Sequence, residues 1–387
     1  MQWRTAPYGR LGRLLQLPRW REPTAGVTAQ SWRPPSVCRG LCDAGGRRPP
    51  FHEEILPTTV LGPGSQQRVC VTGAGGFIGS WVVRELLQRG YRVRGTARDH
   101  GDRKNAHLHE LDGAEERLSM YTADLLDYKS LCAAFRLCDG VFHVASPVSN
   151  DPGLVPVAIE GAKNVINAAA DMGVQRVVFT STYGAIHMNP NRSPDQILDE
   201  SCWSDLEFCK QTENWYCYAK TVAEKTAMEE ASKRGIQLIV VAPSVTIGEM
   251  LQPTLNVSAY RVATYMKGTK KAYPNAVAAY VDVQDVARAH VLVYEDMGAH
   301  GRYLCISDVL HRSEFLQMMR ELFPQYPITT RCEDDTTPKA KPYKFSTQRL
   351  QDLGLKFSPL DESLYKTVIS LQKNGHLPIL PHKSGSL

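Results

Sequence analysis

The sequence predicts an α/β fold, a doubly wound parallel sheet followed by a smaller C-terminal lobe. Three observations predict it. Short β-branched runs alternate with amphipathic stretches from about Gln66 to Gly248, the pattern of strand–helix–strand units with right-handed crossovers. The first run leads directly into a glycine-rich turn and a helix. Beyond Gly248 the alternation loosens, and Pro253, Gly268, Pro274 and the lysines Lys267, Lys270 and Lys271 mark a lobe of loops and helices.

Arg68–Thr72 is a β-branched run that reads as a buried strand. Gly73, Gly76 and Gly79 follow, and helical spacing from Ser80 stops at Gly90. The second strand is Tyr91–Thr96. A third, from Leu118, ends at Asp124, which faces the adenine amine of a nucleotide or caps a helix beginning at Leu125. Gly140–Pro147 is the fourth strand, and His143 within its apolar run reads as a core histidine. An amphipathic helix spans Val155–Met172. The fifth strand is Arg176–Thr182 and the sixth Leu238–Pro243; Tyr280–Ala287 is a short strand running into a helix. No internal repeat is present.

Strand, glycine turn and helix in succession make a Rossmann-type dinucleotide site. Glycines permit the tight turn and the close approach of a pyrophosphate to the helix N-terminus. The G-x-x-G-x-x-G spacing resembles that of extended short-chain dehydrogenase/reductases. An NAD site would offer a carboxylate at the end of the second strand. This chain offers Arg98, with Lys104 further on, so NADP(H) is expected; Asp99 is the rival that would face the ribose instead.

Within Asn214-Trp215-Tyr216-Cys217-Tyr218-Ala219-Lys220, Tyr216 and Lys220 are four apart and share a helix face. An ammonium beneath a phenol favours phenolate, so Tyr216 is expected to exchange a proton nearer neutral pH than its reference of about 10. A carbonyl reductase needs such a group.

The net charge of +5 belongs to the start of the chain. Residues 1–50 hold nine arginines against Glu22 and Asp43, so the remainder is net acidic and nothing in it suggests nucleic-acid binding. Residues 1–65 read as a disordered Arg/Pro-rich leader, a transit peptide or a mis-started extension. Residues 66–247 form the cofactor domain, 248–376 the substrate lobe and 377–387 a flexible tail. The ten cysteines are scattered without metal spacing, which argues for a reducing compartment and no metal. No apolar run reaches the roughly 18 residues that span a membrane. A cytoplasmic monomer or weak dimer is expected.

From Val69 to about His376 the chain resembles the plant cinnamoyl-CoA reductases, relatives of the dihydroflavonol reductases. The likeness is carried by Val69–Ile78, Lys104–Leu108, Asp199–Asp205, Lys341–Ser346 and above all Asn214–Tyr218, since the family's signature is Asn-Trp-Tyr-Cys-Tyr-Gly-Lys. The resemblance implies NADPH-dependent reduction of a hydroxycinnamoyl-CoA thioester to an aldehyde and free CoA, on the route to lignin. It implies Tyr216 as general acid, Lys220 beneath it, and a hydroxyl from the fifth strand at the carbonyl oxygen. It further implies that the cofactor is held by Gly73, Gly75, Gly76, Phe77, Ile78, Gly79, Asp124, Leu125, Val144, Ala145, Ser146, Pro243, Ser244, Val245, Thr246 and Ser258, besides Arg98, Lys104 and the catalytic pair.

Three departures stand out. The family's serine is Thr182 here; Ser181 next to it would point to the opposite face. The signature glycine is Ala219. The family's basic CoA positions include a histidine and a lysine that fall on Arg261 and Thr264, while Arg312 matches the third. Cys209 and Cys217 match cysteines of the family and make a candidate redox pair beside the tyrosine. Three functions therefore stand: a thioester reductase, a reductase of a ketone or aromatic aldehyde, and a non-catalytic NADP-binding protein.

Overall fold

Side-chain alternation in the first strand already demands two covering layers. In β1 (Arg68–Thr72), Val69 and Val71 belong to one core cluster and Cys70 to another, and all three are fully buried. The computed structural model describes residues 67–381 apart from Pro194 and Asp335. The expected leader, residues 1–65, lies outside the described residues.

β1 is flanked by β2 (Arg92–Ala97), β3 (Leu118–Thr122), β4 (Gly140–His143), β5 (Arg176–Thr180), β6 (Gln237–Pro243) and, from much later in the chain, β9 (Gly301–Cys305). The order is β3-β2-β1-β4-β5-β6-β9, every pair parallel. Strand order reverses between β1 and β4, which opens a crevice at their carboxyl ends. The Val69/Val71 face is covered by α1 (Phe77–Gln88) and α7 (Val283–Glu295). The Cys70 face is covered by α2 (Tyr128–Phe135), α3 (Val155–Asp171) and α5 (Trp215–Arg234).

The smaller lobe has its own core, in which α6 (Val257–Met266), α8 (Arg312–Leu322) and α9 (Leu360–Lys373) pack beside a three-stranded sheet. That sheet joins β7 (Val245–Ile247), β8 (Val277–Asp282) and β10 (Asp308–His311). The lobe is more regular than the loosened sequence pattern suggests.

Several boundaries differ from expectation. The chain does not leave the cofactor domain at 247 for good: α7 and β9 return to it, and β9 pairs with β6 from Gly301↔Ile239 to Cys305↔Pro243. Leu377, expected in a flexible tail, is buried in the lobe core. The helix after β3 starts at Tyr128, and its cap is Asp127, whose carboxylate accepts from the Lys129 and Ser130 amides. Asp124 therefore does not cap it. β5 ends at Thr180, before Ser181 and Thr182.

Candidate active site

Because the seven strands are parallel, the residues following β1, β2, β4, β5 and β6 gather along one edge of the sheet. Gly73 leaves β1 with φ +67, and a side chain there would meet Ala145 Cα at 3.0 Å. At Gly79 a Cβ would stand 2.1 Å from the Gly73 carbonyl, so the turn can tighten only on glycine. Thr72 closes the crevice: its Oγ1 accepts from the Val144 and Ala145 amides, each at 3.1 Å. Its proton is then left for His143 Nδ1 at 2.9 Å, which places the imidazole proton on Nε2. His143 is buried and driven down to about 3 by desolvation and by the Lys220 charge, so it is a neutral bracket between β1 and β4.

The loop after β2 is tied to this turn by Asn105, a residue that sequence reasoning did not single out. Its amide donates to the Asp99 carbonyl at 2.9 Å, and its Oδ1 occupies the space that a Gly75 side chain would need. The signal was available in the Lys104–Leu108 run, but the fold was needed to show the contact. Ser80 likewise meets His107 at 2.9 Å. Arg98 is exposed and has no hydrogen-bond or ion-pair partner among the described residues, whereas Lys104 pairs with Asp102 at 2.8 Å. Asp99 is turned to its own loop, accepting from the Gly101 amide at 3.0 Å.

Asp124 is exposed and accepts from the Leu126 amide, while Leu125 packs against Gly161 of α3. Phe77 and Ile78 open α1 directly after Gly76. Ser146 follows Ala145 and is half-buried. Past β6, Ser244 is buried with its hydroxyl unpartnered among the described residues; Val245 and Thr246 follow, and Ser258 donates to the Thr246 carbonyl. A side-chain-free turn at a helix N-terminus, an unpaired guanidinium at the ribose end and an orphaned hydroxyl across the crevice fit a phosphorylated dinucleotide.

Asn214 caps α5 by accepting from the Cys217 amide at 3.2 Å. The turn before it is sharp, with Glu213 at φ 52. Asn150 braces that turn, donating to the Glu213 carbonyl at 2.8 Å and accepting from the Tyr216 amide at 3.1 Å. Asn150 is a second residue that local sequence did not mark, since its partners lie more than sixty positions away.

In the first turn of α5, the Tyr216 phenol lies beside the Thr182 hydroxyl. Burial pushes the phenol up to about 12, and the Thr182 hydrogen bond only partly offsets this. The expectation that Lys220 brings Tyr216 toward neutral pH is therefore corrected: desolvation dominates, and the Lys220 ammonium is turned to the Thr180 carbonyl. Lys220 is buried and donates to the Thr180 carbonyl at 2.8 Å. Burial lowers its own pKa to about 8 against the raising influence of Glu224. Thr182 is buried, and its Oγ1 also accepts from the Gly184 amide at 3.2 Å. Ser181 turns away from the phenol to donate to Glu224. The Ala219 methyl is absorbed in the packing of α5 on α3.

Cys209 and Cys217 are both buried free thiols. Desolvation raises them, to about 11 and about 12 respectively, so both are protonated at neutral pH. Arg261 is exposed on α6 and Arg312 is buried at the start of α8, its guanidinium donating to the Tyr280 hydroxyl. Both positive charges act on the Tyr183 and Tyr280 phenols, which brings them toward the loop carrying Thr182. Thr264 turns back to the Tyr260 carbonyl at 2.8 Å.

Residues 69–306 match the model of the NAD dependent epimerase/dehydratase family. Cinnamoyl-CoA reductase 1 of Oryza sativa subsp. japonica is 71% identical over 317 residues, covering 82% of this chain and 94% of the relative. Cinnamoyl-CoA reductase 1 of Petunia hybrida is 57% identical over 320 residues, covering 82% and 96%. Vestitone reductase from alfalfa (Medicago sativa) has a similar structure, with a TM-score of 0.71 and 32% identity over 80% of this chain and 99% of that one. No helix among the described residues is long and apolar enough to cross a membrane.

Proposed function

The chain belongs to the cinnamoyl-CoA reductases, within the NAD dependent epimerase/dehydratase family, and on that premise we propose that it reduces hydroxycinnamoyl-CoA thioesters with NADPH to the aldehydes, releasing CoA, in phenylpropanoid and lignin synthesis. The observation that carries this reading is the set of buried Thr182 and Lys220 with half-buried Tyr216 at the end of β5, beside a glycine turn shaped for a dinucleotide.

Bound NADPH supplies the hydride. Gly73 to Gly79 would hold its pyrophosphate, Arg98 with Lys104 its 2′-phosphate, and Asp124 and Leu125 its adenine. The segments Val144–Ser146 and Pro243–Thr246, with Ser258, would line the nicotinamide side. Tyr216 keeps its proton through neutral pH and gives it to the thioester carbonyl oxygen as charge develops there. Thr182 donates a second hydrogen bond to the same oxygen. When the carbonyl re-forms, Tyr216 takes the proton back and the CoA thiolate leaves and is protonated. One thioester, one NADPH and one proton thus become one aldehyde, one CoA thiol and one NADP⁺. Lys220 spends one N–H on Thr180 and keeps two for ribose hydroxyls. Arg261 and Arg312 would meet CoA phosphates.

Eight free thiols among the described residues support a reducing, cytoplasmic setting. As a redox pair, Cys209 and Cys217 would deform the turn bearing Tyr216; unchanged activity and two free thiols before and after reductant would sink that idea. A second reading, reduction of a ketone or aromatic aldehyde, is favoured by Thr264 standing where the family has a lysine. Feruloyl-CoA and the matching aldehyde, each with NADPH, separate the two. Turnover of the thioester is expected, and turnover of the aldehyde alone would remove the thioester reading.

A further inference from the structure

We propose that Glu224 and Arg302 form a buried positioning pair that sets the charge of Lys220, and with it the pH range of turnover. The register between β5 and α5 carries the inference. The last residue of β5 and the two that follow it each meet one of three α5 residues spaced by four. The Thr182 hydroxyl lies beside Tyr216, the Thr180 carbonyl accepts from Lys220 at 2.8 Å, and the Ser181 hydroxyl donates to Glu224. Two of these contacts serve the reaction directly. The third holds a carboxylate that is 0% exposed, one helical turn below the lysine.

An unpaired carboxylate at such a site would be costly. Arg302 on β9 offsets that cost, its Nε donating to Glu224 at 2.6 Å. Arg302 is in turn fixed from outside the site, donating to the Glu200 and Cys202 carbonyls at 2.8 and 2.6 Å and lying 3.8 Å over the Trp203 ring. Lys220 and Glu224 are not within ion-pair distance, since the ammonium is held at Thr180, so the carboxylate acts on it through space.

The other titratable groups around Lys220 carry no charge at neutral pH. His143 on β4 and His290 on α7, which meets the Thr180 hydroxyl at 2.7 Å, are both buried neutral, and Tyr216 and Cys217 are protonated. Among the described residues, Glu224 is the anion that acts on Lys220 against its burial, and Arg302 is the counter-ion that sustains that buried carboxylate.

The inference rests on the proposed reaction, so turnover of feruloyl-CoA by the full wild-type chain is established first; its absence would count against that reading and not against this pair. kcat/KM is then followed from acid to alkaline pH for the wild type, E224Q, E224D and R302Q, with folding checked by circular dichroism. E224Q removes the anion, so the alkaline limb is expected to move to lower pH by about one unit. R302Q takes the counter-ion from the buried carboxylate, whose negative charge is then no longer sustained beside Lys220, so the limb is expected to move to lower pH as it does in E224Q. E224D keeps the charge and should leave the limb near its wild-type position. A merely structural pair would lower kcat without moving the limb. Limbs unmoved in the folded variants, or moved in opposite directions by E224Q and R302Q, would overturn the proposal. If E224Q does not fold, R302Q decides alone, and an unmoved limb there overturns it.

Discussion

At Tyr216 two effects oppose each other: burial holds the proton on the phenol, and the Thr182 hydroxyl eases its loss. On the proposed reaction the phenol therefore enters as an acid, and its worth lies in proton transfer to an oxygen that Thr182 would also hold. Tyr216→Phe is expected to lower turnover by roughly 10²–10⁴-fold while NADPH still binds, measured by single-turnover oxidation and by fluorescence titration. Thr182→Val should cost about 10–10³-fold, and Thr182→Ser should retain most of the rate. Arg98→Ala should weaken NADPH by roughly 10–100-fold and leave NADH nearly unchanged, read from the two dissociation constants. That Tyr216 and Lys220 lie four apart on one helix was legible in the sequence because that spacing is local. Glu224 was not, although it continues the same spacing, because the residue that makes a buried carboxylate tolerable there lies 78 positions away on β9. The direction of the Tyr216 shift was also illegible, since it depends on how many atoms surround the phenol.

At the scale of the element, the glycine turn and the entry to α5 hold the two halves of the site. Gly79→Ala would drive a methyl into the Gly73 carbonyl, 2.1 Å from where Cβ must stand. Loss of detectable NADPH binding is expected, with the far-ultraviolet circular dichroism of the sheet and helices retained. Glu213 holds a left-handed backbone at φ 52. Glu213→Gly should raise the unfolding free energy by about 0.5–1 kcal/mol in urea titration, because glycine reaches that region without a Cβ penalty. β1, β2 and β4 to β6 were legible from their apolar runs, as was α3. β9 was not: Gly301–Cys305 is short and follows a helix of the lobe region, and only its pairing with β6 shows that it belongs to the main sheet. Asn105 and Asn150 escaped notice for the same reason, since a polar residue in a loop gives no local sign of a partner across a crevice.

Across the whole molecule, two buried histidines hold the parallel sheet together with its covering layer, His143 on β4 to Thr72 on β1 and His290 on α7 to Thr180 on β5. Both are held neutral, with pKa values lowered to about 3 and about 4. The unfolded chain takes up these protons near pH 6.5 and the folded chain only near those lower values, so stability falls as pH drops below about 6.5. Urea midpoints taken between pH 7.5 and 4.5 should decline, and His290→Gln should make the decline shallower; a parallel decline would assign it to other groups. On the proposed reading, it is the lobe carrying Arg261 and Arg312 that adds a thioester site to a dinucleotide fold. The measurement that tests this most directly is product stoichiometry with feruloyl-CoA and NADPH. The account predicts one free CoA thiol and one aldehyde for each NADPH oxidised. NADPH oxidation without thiol release, or no oxidation at all beside ready turnover of the aldehyde, would contradict it.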